Sequence, residues 1–147
     1  MSYRIALEEK PNNTDINTII QGLTAYNQSK ANGDTPQYLV ATARNEEGTV
    51  VGGVVAAIYL GWLQVSALWL ADELRGNGYG SQLLALVEDA AARQGCANAF
   101  LETLSFQALP FYEKRGYTVF SRLADFPPGG ARYALTKALP VMANVES

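Results

Sequence analysis

The chain has 147 residues, is 48% hydrophobic and carries a net charge of −3, so it reads as one domain over residues 1–147 with a substantial core. Lys+Arg 11 against Asp+Glu 14 leaves no basic stripe for nucleic acid. With no histidine and one cysteine, Cys96, the sequence excludes an internal disulfide, a zinc site of the usual kind and any Ser-His-Asp or Cys-His mechanism.

No run reaches the roughly 18 apolar residues of a membrane span, and the first ten residues lack the apolar core of a signal peptide. The expectation is a cytoplasmic protein with no metal. Tyr3, Ile5 and Leu7 alternate with polar neighbours, which predicts a first strand over Tyr3 to Glu9. Pro11-Asn12-Asn13 turns the chain. Thr14 or Asp15 can cap a helix whose apolar positions are Ile16, Ile19, Ile20 and Leu23, running to about Asn27. Gln28 to Pro36 reads as a loop or a short broken helix.

Gln37 to Ala43 predicts a second strand, Asn45 to Gly48 a hairpin turn and Val50 to Ile58 a third strand. Gly52-Gly53 within it signals a bulge or a close backbone approach. After a turn at Leu60-Gly61, Trp62 to Leu70 predicts a fourth strand, apolar on both faces as a central strand should be. A helix follows from Ser81 to Gln94 with the stripe Leu83, Leu84, Val87, Ala90 and Ala91, stopped by Gly95. Ala99 to Leu104 predicts a fifth strand, Gln107 to Arg115 a short helix, Tyr117 to Leu123 a sixth strand and Arg132 to Lys137 a last one. Beyond Ala138 the chain is expected to fray. The element order predicts an α+β domain with a mixed sheet and helices on both sides.

Between the fourth strand and its helix lies Arg75-Gly76-Asn77-Gly78-Tyr79-Gly80-Ser81. Backbone N–H groups in such a turn converge, and the new helix adds free N–H groups and its positive dipole end, which suits a phosphate or pyrophosphate. Arg75 adds a forked cationic donor. The Walker loop is absent, since no Gly-Lys-Ser/Thr occurs. Gly76-x-Gly78-x-x-Ser81, with Glu102 ending the next strand, comes within one substitution of the dinucleotide fingerprint and keeps NAD binding as a rival. About half the chain precedes the loop, and too little follows for a doubly wound sheet.

Arg75 to Gly80 resembles the Arg/Gln-x-x-Gly-x-Gly/Ala signature of the GNAT N-acetyltransferases. Ala108 and Phe111-Tyr112-Glu113-Lys114-Arg115-Gly116-Tyr117 resemble that family's second signature, at the right spacing. The resemblance is firm over Val50 to Leu135. It implies a sheet of about seven strands, split between the fourth and fifth, with acetyl-coenzyme A wedged into the split. It implies cofactor contacts from Leu68, Trp69 and Leu70 to the pantetheine arm, and from Arg75, Gly76, Asn77, Gly78, Tyr79, Gly80 and Ser81 to the pyrophosphate. Ser105 stands where the family often has a cofactor-binding asparagine; a helix N-cap is the other reading.

The same resemblance makes Tyr112 the acid that protonates the leaving thiolate, against a core aromatic beside Phe111. For a general base, Gln64 and Ser66 are unsuitable. Glu102, in Leu101-Glu102-Thr103, remains, against a solvated or structural carboxylate. Asp72 and Glu73 fit priming of the turn or pairing with Arg75. Phe126, Arg132 and Tyr133 line the acceptor site or anchor a loop. The implied activity is direct transfer of acetyl from acetyl-coenzyme A to a primary amine of a small molecule or peptide, in a ternary complex. The alternative is an acetyl-coenzyme A-binding module without turnover. Dimers are common in the family.

Overall fold

The computed structural model describes residues 2–141, in two compact units, Met1–Thr35 and Pro36–Ser147. In the first unit, the strand expected over Tyr3 to Glu9 does not form. Tyr3, Ile5 and Leu7 are exposed, and an extended segment without a neighbour has no ladder for its peptide groups. The helix, α1, spans Asn13–Lys30. Its cap is Asn12 rather than Thr14 or Asp15: Asn12 Oδ1 accepts from the Asp15 N–H at 2.8 Å, and Asn12 Nδ2 donates to Asp15 Oδ2 at 2.8 Å. Asp15 therefore bonds back to the cap while its charge faces the positive helix end. The helix runs through Gln28 to Lys30, where a loop or a short broken helix was expected.

The second unit is built on β1 Gln37–Arg44, β2 Val50–Tyr59, β3 Trp62–Leu70, α2 Tyr79–Arg93, β4 Asn98–Leu104, α3 Leu109–Lys114, β5 Thr118–Ala124 and β6 Ala131–Ala138. Among the described residues the sheet has six strands in the order β1-β2-β3-β4-β6-β5, where about seven were expected. Only β3 and β4 run parallel.

Local chemistry fixes the antiparallel meander. Asn45 Oδ1 accepts from the Glu47 and Thr49 N–H groups at 3.0 and 2.9 Å, closing the first hairpin. Leu60 and Gly61 have φ of 51° and 83°, the two-residue turn whose twist matches paired strands. Gly52 and Gly53 mark a close approach: a Cβ at Gly53 would lie 2.8 Å from the Ala41 carbonyl oxygen. A register irregularity lies beside them, where Ala43 pairs with Gly52 but Arg44 with Val50.

One face of this sheet holds the core. Val54, Ala56, Leu63, Val65, Leu101 and Leu135 pack there with Leu83, Leu84, Val87 and Ala91 of α2 and Tyr112 of α3. Both helices of this unit thus cover the same face. Leu83, Leu84, Val87 and Ala91 of the predicted α2 stripe are buried, Ala90 is only half-buried, and the buried face also takes in Ala92 and an acid, Glu88. Glu88 Oε2 accepts from the Tyr117 hydroxyl at 2.7 Å and Oε1 from Lys137 Nζ at 2.8 Å, tying α2 to the strands beyond α3. A Schellman turn ends α3, with Tyr117 N–H on the Tyr112 carbonyl and Gly116 N–H on that of Glu113, both at 3.1 Å. Past β6 the chain does not fray at once. Leu139 is buried, and its N–H bonds to the Ala97 carbonyl at 2.8 Å. The rest of the expected frayed tail, residues 142–147, lies outside the described residues. No helix among the described residues is long and apolar enough to cross a membrane.

Replacing Gly53 with valine should destabilise the protein by about 1–3 kcal/mol, since the added Cβ meets backbone rather than a movable side chain. Urea unfolding monitored by circular dichroism checks this, and an unshifted midpoint would show that β1 and β2 separate at no cost.

Candidate functional site

The site begins with a defect in the sheet. Val55 pairs with Ala67, but Ala56 pairs with Val65, so Ser66 is an extra residue in β3. Its hydroxyl donates to the Val55 carbonyl at 3.1 Å. Pairing of β3 with β4 covers Trp62↔Asn98 to Val65↔Leu101 and stops there. Beyond that point the two central strands part, between the expected fourth and fifth strands.

The open edge of β3 carries peptide groups. Ala71 N–H bonds to the Val51 carbonyl at 2.8 Å, and Trp69 stands opposite Gly53. Bonded and non-bonded pairs alternate along an antiparallel ladder, so the peptide groups of Leu68 and Leu70 face away from β2, into the gap. The Leu70 carbonyl meets Arg75 Nε there at 3.2 Å. The Leu68 and Leu70 side chains lean on the core, whereas Trp69 is exposed.

Next comes the glycine loop. A short 3₁₀ turn, Asp72–Leu74, precedes it. Arg75 Nη1 sits 3.3 Å from Asp72 Oδ1, so Asp72 does pair with Arg75. Arg75 is thus fixed by Leu70 and Asp72. Asn77 Nδ2 donates to the Arg75 carbonyl at 3.2 Å. Gly76 and Gly78 have φ of 80° and 82°, a region that side chains disfavour by about 1–2 kcal/mol. Gly78 is the N-cap of α2, and the first helical bond runs from Gln82 N–H to its carbonyl at 3.2 Å. The N–H groups of Tyr79, Gly80 and Ser81 precede that bond and are left for an outside acceptor. Gly80 has a packing role as well: a Cβ there would sit 3.3 Å from Phe111 Cζ and 3.6 Å from Leu70 Cδ1. Loop, β3 and α3 meet at this point.

On α3, Tyr112 is 8% exposed. It packs edge-to-face with Phe111 at 5.3 Å and Tyr117 at 5.9 Å. Burial pushes its phenol above the usual range, so it stays protonated at neutral pH. No buried side-chain N or O atom among the described residues lacks a partner. No side chain or peptide group among the described residues bonds the Tyr112 hydroxyl, which is therefore not fully enclosed.

Glu102 points the other way. Its neighbours Leu101 and Thr103 are buried on the core face, so Glu102 projects from the opposite face. Arg132 of β6 grips it with two bonds, Nε–Oε2 at 2.8 Å and Nη2–Oε1 at 2.9 Å. That bond, ahead of the opposing effect of burial and the added coulombic attraction, holds the Glu102 carboxyl below its usual range. The Phe126 ring lies 4.8 Å from the Arg132 guanidinium carbon. Glu102 and Arg132 border an opening of about 150 Å³ at the end of β4. Tyr133 belongs to the core side.

Ser105 closes the end of β4 onto β6. Its Oγ accepts from the Ala131 N–H at 3.0 Å, and its own N–H bonds to the Ala131 carbonyl at 2.8 Å. It does not cap α3, whose N-cap is Ala108. Gln107 Oε1 accepts instead from the Leu104 N–H at 2.7 Å. Sequence reasoning missed the Glu88–Tyr117–Lys137 cluster. The one signal was an acid four residues beyond Leu84 on an apolar stripe. No group of three or more acidic or cysteine side chains suited to a metal occurs among the described residues.

The acetyltransferase (GNAT) family model matches residues 4–117 of the chain. An acetyltransferase of Agrobacterium fabrum is 35% identical over 107 residues, which is 73% of this chain and 78% of that protein. The blasticidin-S acetyltransferase of Streptomyces morookaense is 39% identical over 98 residues, 66% of this chain and 72% of that one. The crystal structure of an acetyltransferase from Bacillus cereus superposes with a TM-score of 0.75 at 31% identity, covering 91% of this chain and 98% of that one. With the glycine loop, the parted central strands and the buried tyrosine in the same chain, these matches make the protein an acetyltransferase of the GNAT family.

Proposed function

We propose that the protein moves the acetyl group of acetyl-coenzyme A to a primary amine of a small molecule by direct attack, with both substrates bound at once. The observation that carries this reading is the gap beside β3: peptide groups of Leu68 and Leu70 that no neighbouring strand pairs, continuous with the free N–H groups at the start of α2. A pantetheine arm has amides that can pair with such an edge, and a pyrophosphate suits the helix start. Gly76 to Ser81 would hold the pyrophosphate through the backbone. Arg75 and Asn77 would keep the loop in shape. Ser105, whose hydroxyl accepts from Ala131, retains one proton to donate toward the arm.

Attack on a thioester builds negative charge on its oxygen, and the Leu68 N–H is the donor available at the open edge. The departing thiolate needs a proton. Tyr112, protonated and held by Phe111 and Tyr117, would supply it from the core side of the sheet. The amine would arrive from the other side, past Glu102, Arg132 and Phe126. The amine adds to the thioester carbonyl carbon, and the tetrahedral intermediate collapses with cleavage of its C–S bond, leaving acetyl on nitrogen and releasing the thiolate. Glu102, held below its usual range by Arg132, is a weak proton acceptor as it stands, so its part runs through water or through loosening of the pair. A covalent acetyl-cysteine route is disfavoured, because Cys96 is buried and burial raises its thiol. A lone reduced cysteine also fits a cytoplasmic setting.

Calorimetric titration should show acetyl-coenzyme A binding with a micromolar dissociation constant (about −8 kcal/mol) and no binding of NAD. Gly78→Val should weaken that binding at least about tenfold, since the left-handed backbone resists a side chain. Binding of NAD alone would overturn the reading.

Tyr112→Phe should lower kcat by about 10²–10⁴ while leaving the dissociation constant for acetyl-coenzyme A near its original value. Unchanged kcat, read as thiol release, would return Tyr112 to the role of a core aromatic.

Arg132 lowers the Glu102 pKa in the folded state. The pair therefore stabilises the protein above the unfolded-state pKa and loses this effect as pH falls through the folded-state value. Arg132→Met should raise the acid limb of the kcat–pH profile if Glu102 takes the proton. A limb that does not move would remove Glu102 from catalysis.

A further inference from the structure

Besides the cavity that Ser81, Lys114 and Arg115 line next to the glycine loop, a smaller opening of about 150 Å³ lies at the end of β4. Its walls carry one carboxylate, Glu102, one guanidinium, Arg132, and one amide, Gln107. Glu102 is the first residue of β4 past the last pair with β3, Val65↔Leu101, so it stands where the central strands part. Arg132 binds it through Nε and Nη2, and Nη1 bonds no group among the described residues. Gln107 Oε1 accepts from the Thr103 hydroxyl at 3.3 Å and from the Leu104 N–H at 2.7 Å, which leaves its amide N–H donors over. The Phe126 ring, 4.8 Å from the guanidinium carbon, holds Arg132 by a contact that uses none of its N–H groups.

The pair is open to water, with side chains 34% exposed at Arg132 and 36% at Glu102. Such a pair adds little stability, so a ligand with matching charges can take over both partners. A carboxylate suits Arg132, which grips that group through parallel N–H donors, and an ammonium suits Glu102. Because the two side chains touch, the two charges of the ligand must be neighbours too: an amino group and a carboxylate one or two carbons apart. The opening is smaller than the roughly 300 Å³ of a pocket that encloses a drug-sized ligand, so it takes the charged head and leaves the rest outside. We propose that the acceptor is a free α- or β-amino acid, whose carboxylate displaces Glu102 from Arg132 and so frees Glu102 to take a proton from the ammonium. The inference rests on the acetyl-transfer reading above, and it names the acceptor class and what loosens the pair. Peptide N-termini and polyamines lack the neighbouring carboxylate and leave Glu102 bound. The ammonium gives one proton to Glu102, its freed lone pair adds to the thioester carbon, and the C–S bond breaks. A second proton lost from nitrogen offsets the one that Tyr112 delivers to the thiolate. Each transfer thus yields an N-acetyl amino acid, coenzyme A and one proton, which passes from Glu102 to solvent.

Thiol release from acetyl-coenzyme A tests the idea with the standard amino acids and β-alanine, each beside its primary amide, which keeps the amine and side chain and lacks the negative charge. At least one amino acid should exceed its amide in kcat/KM by about tenfold or more, the margin of a charge-assisted over a neutral hydrogen bond. Arg132→Met should abolish the preference by raising KM for the amino acid, while turnover of the amide does not fall, because Glu102 is then free. Glu102→Gln should lower kcat on the amino acid by about 10² and leave KM near its original value. Amides turned over as well as the amino acids would overturn the inference and leave acetyl transfer to an amine standing. A preference that survives Arg132→Met, or an unchanged kcat in Glu102→Gln, would overturn it as well. An Arg132→Met protein with an unaltered circular dichroism spectrum that loses amino acid and amide equally would reduce the pair to a strand-to-strand tie. Binding of acetyl-coenzyme A with no thiol release for any amine of the panel would overturn the transfer reading itself, and this inference with it.

Discussion

Everything in the site depends on the failure of β3 and β4 to stay paired beyond Val65 and Leu101. A parallel pair at the centre of a sheet normally continues as far as both strands do, because an unpaired buried peptide group costs about as much as a lost hydrogen bond. Ser66 removes that option. As an extra residue it shifts the register of β3 against β2 and bends the strand where β4 would otherwise follow. Arg75 satisfies the Leu70 carbonyl from outside the sheet. The Leu68 peptide group has no such partner in the adjoining strand. The protein thus keeps, between its two central strands, an edge of the kind that most sheets cover.

The groups around the gap are held by a division of charges. Asp72 fixes Arg75, Glu102 fixes Arg132, and Glu88 fixes Lys137. The first two pairs are exposed and add little stability; their effect is to set the position of a side chain. The third is mostly buried and also holds the Tyr117 hydroxyl, so burial and the Glu88 carboxylate together push that phenol well above its usual range. Tyr117 in turn packs against Tyr112. The buried acid of α2 thereby positions the aromatic cluster in which the candidate acid stands. Lys114 and Arg115 fall outside this division, and their charges face the cavity beside the loop.

Much of this was legible in the chain. The glycine loop at Gly76 to Gly80, most of the α2 stripe and the two hairpin turns are local signals, and each formed where its chemistry indicated. Gly52-Gly53 signalled close approach, and the Ala41 carbonyl is what approaches. Three local readings differ from the structure. The alternation of Tyr3, Ile5 and Leu7 is a pattern that makes a strand only when another strand accepts it, and none pairs with it here. Asn12 outcompeted Thr14 and Asp15 as a cap because its side chain sits one residue before the first helical turn. Ser105 does not cap α3; its oxygen accepts instead from the N–H of Ala131, 26 residues away.

The sequence by itself determined the family, the glycine loop and the order of the elements from α1 onward. These follow from short-range spacing and from residue types with strong local preferences, such as glycine at positive φ. Tertiary structure decided the rest. It placed the bulge at Ser66, set Tyr112 and Glu102 on opposite faces, bound Glu102 to Arg132, and left Lys114 and Arg115 without a carboxylate partner among the described residues. Each of those depends on residues far apart in the chain, and on which of several candidate partners the fold brings within about 3 Å, where a hydrogen bond or ion pair takes its strength.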